Sequence, residues 1–89
     1  MDFAIDLSGV TTAAGLHRRI RAVLPCPAWY GDNLDALYDL LTDQGSGWHI
    51  TFLHTAETES LLPAYMASLR RLCIRAMAET PGLQIGFEE

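Results

Sequence analysis

The 89-residue chain is 49% apolar and 19% charged, the make-up of one small globular domain over residues 1–89 that is too short to divide into two cores. Its formal net charge of −5 and pI near 4.9 argue against nucleic acid or an anionic membrane as a direct partner, because both reward Lys and Arg, and make a basic protein the natural complement. There is no apolar run of 18 residues, Met1-Asp2-Phe3-Ala4-Ile5-Asp6 lacks the basic and apolar regions of a signal peptide, and the expectation is a cytoplasmic chain.

Phe3, Ile5 and Leu7 alternate with smaller or polar residues, which predicts a strand from almost the first residue, closed by Ser8-Gly9. Thr11 or Thr12 is placed to cap a helix whose apolar positions Leu16, Ile20, Val23 and Leu24 recur at helical spacing and stop before Pro25. His17, Arg18, Arg19 and Arg21 fall mostly off that face. Pro25 and Pro27 impose an extended connection, Gly31 permits an unusual backbone angle, and Asp32 or Asn33 caps a second helix that Gly45-Ser46-Gly47 ends. Trp48, Ile50 and Phe52 then alternate with His49, Thr51 and Leu53 as a second strand. After a short helical segment from Thr55, a longer helix from near Leu62, with Pro63 in its first turn, carries Tyr65, Met66, Leu69, Leu72, Cys73, Ala76 and Met77 on one face. Pro81-Gly82 terminates it, and Leu83, Ile85 and Phe87 form the last strand. Helical connections of this length favour parallel pairing through right-handed crossovers. The expected class is α/β: a three-stranded parallel sheet packed with, and mainly covered by, three main helices plus a short one.

The second helix carries the chemistry. Taken as one helix over residues 32–43, it aligns Asp32, Asp35, Asp39 and Asp43 within an arc of roughly 80°, with no Lys or Arg among them and Leu34, Leu37 and Leu41 opposite. Each like-charge neighbour costs about 0.2 to 0.5 kcal/mol, so the row accepts repulsion on the order of 1 kcal/mol. Asp32 and Asp35 recover some of it at the positive end of the helix dipole, whereas Asp39 and Asp43 lie toward the negative end. A row that is locally unfavourable points to a docking surface for a cationic partner.

The stretch Pro27-Ala28-Trp29-Tyr30-Gly31-Asp32-Asn33-Leu34-Asp35-Ala36-Leu37-Tyr38-Asp39-Leu40-Leu41-Thr42 resembles the barstar family of intracellular ribonuclease inhibitors, and length and element order agree along nearly the whole chain. The resemblance implies that this helix and the loop before it plug the active site of a small basic ribonuclease of the secreted type, protecting the cell that makes the inhibitor, as an antitoxin does. It implies that Asp39 sits where a substrate phosphate would, among the enzyme's Arg, Lys and His side chains, with Asp35 as a second charge. Trp29 and Tyr38 would flank the contact, and Gly31, Asn33 and Thr42 would touch the enzyme through backbone or polar groups. Two departures stand out: the family pattern has Gly and Trp where this chain has Asp43 and Gln44, and an acidic contact near Arg75 or Ala76.

Blander accounts exist for the same residues. The row can be a solvated face, Asp32 a helix cap, Tyr30 more than Trp29 a hydrophobic staple, and Tyr38 a core-edge residue. The same acidic face can also serve a non-inhibitory module that binds another basic partner. Asp32, Asp35 and Asp39 suggest Mg²⁺ only weakly, without a calcium-loop spacing or a Gly-rich phosphate loop, so no metal and no cofactor are expected. His17, His49 and His54 lack metal-ligand spacing and read as surface or strand-edge histidines. Ser8, Ser46, Ser60 and Ser68 sit in no nucleophile pattern, and Cys26 and Cys73 have no catalytic context, so the sequence contains no enzyme and two free thiols.

Overall fold

Alternation in the three apolar runs resolves into strands β1 (Asp2–Asp6), β2 (His49–Leu53) and β3 (Gln84–Phe87) in a computed structural model that describes residues 1–89. The strands pair in parallel in the order β1-β2-β3, with Ile5 opposite Phe52 and Phe52 opposite Phe87. Between them run α1 (Ala13–Val23), α2 (Leu34–Gln44), the short α3 (Ala56–Leu61) and α4 (Pro63–Glu79). The fold is therefore the expected α/β arrangement of a three-stranded parallel sheet, three long helices and a short one.

Cover is one-sided. Ile5, Ile50 and Phe52 are buried, while Asp2, Ala4, Asp6, His49, Gln84 and Gly86, which alternate with the inward row, are exposed. A parallel sheet is usually buried on both faces, and the expectation of general helical cover holds here for one face only. The physical reason is composition, since Ala, Gly and charged residues on the open face offer a helix too little apolar area to bury.

Twenty buried apolar residues drawn from the helices, strands and loops form one core cluster, with Met66, Leu69, Leu72, Cys73 and Ala76 as the stripe of α4 and Leu37, Leu40 and Leu41 as that of α2. Thr12 caps α1 by accepting a hydrogen bond from the Gly15 amide at 3.0 Å, and Pro63 occupies the first turn of α4, where its missing N–H leaves no bond unmade. The Arg19 guanidinium donates to the Asp6 and Ser8 carbonyls at 2.6 and 2.9 Å, tying α1 to the end of β1. Both cysteines are free; Cys73 is buried among α4 side chains and its thiol is pushed up to about 12 by loss of water.

His17 corrects the sequence expectation. It is fully buried, with Nδ1 2.7 Å from the Tyr30 hydroxyl and Nε2 2.6 Å from the Tyr65 hydroxyl. Flanking arginines make the segment look solvated, but a tyrosine on each ring nitrogen satisfies the imidazole and lets it lie in the core. Burial pushes its pKa below 6.5 and so favours the neutral ring, in which one nitrogen donates and the other accepts. His49 and His54 are exposed, as read.

An acidic helix face as the candidate functional site

The loop into α2 is shaped by one buried aromatic and one strained acid. The Tyr30 amide donates to the Pro27 carbonyl at 3.0 Å, and the Tyr30 ring is buried against the core, its hydroxyl on His17. Its neighbour Trp29 stays 51% exposed. The unusual backbone angle that Gly31 would permit occurs instead at Asp32, left-handed with φ of 53°, a conformation that Asp tolerates better than most side chains. Gly31 contributes space: a Cβ there would lie 3.1 Å from the Asn33 amide nitrogen, which donates to the Gly31 carbonyl.

Asp32 consequently leaves the acidic row. The helix runs from Leu34 to Gln44 rather than over 32–43, and Asn33 is its N-cap, Oδ1 accepting from the Ala36 amide at 2.8 Å. Asp32 accepts from Arg21 of α1, with Nη2 at 2.6 Å and Nε at 3.1 Å, and the same guanidinium donates to the Tyr30 carbonyl at 2.9 Å. One of the four aspartates is thus neutralised within the chain and clamps the loop. Local sequence offers no sign of this, because Arg21 belongs to the preceding helix.

Asp35, Asp39 and Asp43 remain. All three are exposed on α2 and none forms an ion pair. Ala36, Leu37, Leu40 and Leu41 face the core, so the helix presents its carboxylates outward from a firmly packed base. Two successive i, i+4 pairs cost about 0.2 to 0.5 kcal/mol each. Asp35 is favoured in the first turn, whereas Asp43 sits in the last turn with no basic residue beside it. The row is shorter than expected by one charge, and the three that remain have no internal partner.

The exposed arc also carries Tyr38 and Thr42, so the structure gathers Asp35, Tyr38, Asp39 and Thr42 on α2, with Trp29 and Gly31 on the loop entering it. Thr42 Oγ1 donates to the Tyr38 carbonyl at 2.9 Å. Asn33 uses Oδ1 for the cap and one Nδ2 proton for the Gly31 carbonyl, which leaves its backbone and a second amide proton for a partner. Half-buried Tyr38 packs on the edge of the core beneath Arg75 of α4, whose guanidinium carbon lies 4.7 Å from the ring centroid. The nearby Glu79 carboxylate raises the phenol pKa. Arg75 over Tyr38 was invisible to sequence periodicity, since the two residues belong to different helices.

The one cavity, about 320 Å³, lies on β2 and β3 among His49, Ile50, Thr51, Gln84, Ile85 and Gly86. No residue of α2 lines it. No three His, Cys, Asp or Glu side chains are gathered to hold a metal ion, and no helix is long and apolar enough to cross a membrane. The acidic face is therefore an open helix surface rather than the lining of a pocket.

Compared with known families, residues 1–87 match the model described as Barstar (barnase inhibitor). No curated protein matches the chain.

Proposed function

The chain belongs to the barstar (barnase inhibitor) family, whose members are inhibitors and not enzymes, and from that premise we propose that it inhibits a small basic ribonuclease one-to-one by inserting α2 into the active site. The observation that carries this is the row of three exposed, unpaired carboxylates on a capped helix. Asp39 occupies the place of a substrate phosphate and Asp35 adds a second charge. Trp29 and Tyr38 flank the contact, and Gly31, Asn33 and Thr42 meet the enzyme through backbone or polar groups.

A carboxylate entering a cleft lined by Arg, Lys and His forms charge-assisted hydrogen bonds, strongest when an arginine engages both oxygens. Desolvation offsets part of the gain. The balance favours binding when both surfaces are already ordered. On this side the Asn33 cap, the Arg21 clamp on Asp32 and the His17 bond to Tyr30 order helix and loop before the enzyme arrives. At longer range the same charges steer the encounter, so association slows as salt rises. Two unbridged cysteines suit action in the reducing cytoplasm of the producing cell.

Titrating barnase-like ribonucleases with the chain tests the proposal. Activity should fall to zero at one equivalent, competitively with nucleotide. Tight binding that leaves cleavage intact would instead favour a non-inhibitory acidic module.

A further inference from the structure

All six of the chain's cations are arginines, and most have work inside the fold. Arg21 holds Asp32, Arg70 pairs with Glu59 and stacks 4.2 Å over Phe87, Arg19 binds two carbonyls, and Arg71 donates to the Ser68 hydroxyl. Arg75 is exposed, has no carboxylate partner, and rests on Tyr38, the aromatic residue beside Asp39. Glu79 lies one turn further along α4, yet no ion pair joins it to Arg75.

We propose that Arg75 is a specificity-determining residue of the docking face, selecting ribonucleases that carry a carboxylate on the rim of their cationic cleft opposite Tyr38. This rests on the inhibitory function proposed above. An enzyme that brings a uniformly basic cleft to α2 meets a like charge at Arg75, and covering that guanidinium without a direct partner leaves it desolvated, with only Glu79, beyond ion-pair distance but also beside Tyr38, to offset it. An enzyme with an acid at that point meets a cation whose ring stacking has already restricted its rotamers. The planar edge can then take a carboxylate in two parallel hydrogen bonds. The acidic row thus supplies attraction to any basic cleft, and Arg75 discriminates among them.

The test uses the full chain, Arg75→Ala, Arg75→Glu and Asp39→Ala, with barnase and other barnase-like ribonucleases as probes and calorimetric Kd as the readout. For the enzyme bound most tightly, Arg75→Ala should weaken binding about tenfold or more and Arg75→Glu further. Changing the rim carboxylates of that enzyme singly to Lys should reveal one position that weakens the parent chain and restores Arg75→Glu. If Arg75→Ala binds every enzyme as well as or better than the parent, or weakens all of them equally with no rescuing swap, the assignment is overturned. Should Asp39→Ala abolish binding while both Arg75 variants bind normally, only the role of Arg75 falls; if the parent inhibits no ribonuclease, both proposals fall. Unchanged melting temperatures for the Arg75 variants confirm an intact fold.

Discussion

Carboxylates at the seams of the fold and carboxylates on α2 are treated differently by the same chain. Asp6 accepts from the Ser8 amide and hydroxyl at 2.8 and 2.6 Å and lies 3.0 Å from His54, contacts that hold its pKa well below the ordinary carboxylate range. Glu59 accepts from Arg70 at 2.8 Å, and Asp32 is gripped by Arg21. Asp35, Asp39 and Asp43 have no such partners. Nor is the difference one of supply, since exposed arginines exist on α1 and α4. Acids that organise the chain are paired within it, and three that are unpaired share the exposed face of α2, available to an outside cation.

The sharpest way to break this contrast is Asp39→Ala. It should weaken ribonuclease binding by about 2 to 5 kcal/mol while leaving the melting temperature unchanged or slightly raised, measured by calorimetry and thermal unfolding. Full inhibition by the variant would remove Asp39 from the interface.

Next comes the support beneath the loop. His17→Ala should cost about 2 to 4 kcal/mol of stability through a cavity and two unpaired tyrosine hydroxyls. His17 also sets a pH dependence. Its pKa is lowered in the folded state, so the unfolded chain takes up the proton first, and stability is lost as pH falls below 6.5 toward the folded value. The lowered pKa of Asp6 acts separately and further down, its contribution being present above 3.8 and lost as pH falls through the folded value. Unfolding midpoints across pH 7 to 5 should therefore decline in the parent chain, and much less in His17→Gln.

Smaller effects sharpen the comparison from the other side. Glu59→Gln should lower stability by about 0.5 to 1 kcal/mol through loss of the partly exposed Arg70 pair, with binding unaffected. Asp43→Asn should raise stability by a few tenths of a kcal/mol, because it removes an acid from the last turn of α2, and should slow association slightly. A stability loss on Asp43→Asn would show that its charge has an internal partner after all.

Most of the secondary structure was legible in the sequence because it depends on near neighbours. Alternation in Phe3 and Ile5 or Ile50 and Phe52 gives strands, Thr12 and Asn33 cap helices three residues ahead, and α2 ends at Gly45, where a Cβ would strike the Leu41 carbonyl. The candidate site was legible to the same extent: Asp35, Tyr38, Asp39 and Thr42 share a face by helical spacing alone. Periodicity even held a clue to His17, which lies between Leu16 and Ile20 on the buried side of α1; the polarity of its neighbours outweighed that clue.

Sequence by itself thus determined the order of elements, the inward apolar stripes and the outward acids of α2, since each follows from contacts within a turn or a strand repeat. Tertiary structure decided the rest. Asp32 left the row because Arg21, on another helix, holds it in a left-handed turn; His17 entered the core because Tyr30 and Tyr65 converge on it; and Tyr38 acquired a cation from α4. Whether a polar side chain is satisfied depends on what distant segments bring to it, and only the closed chain supplies those partners.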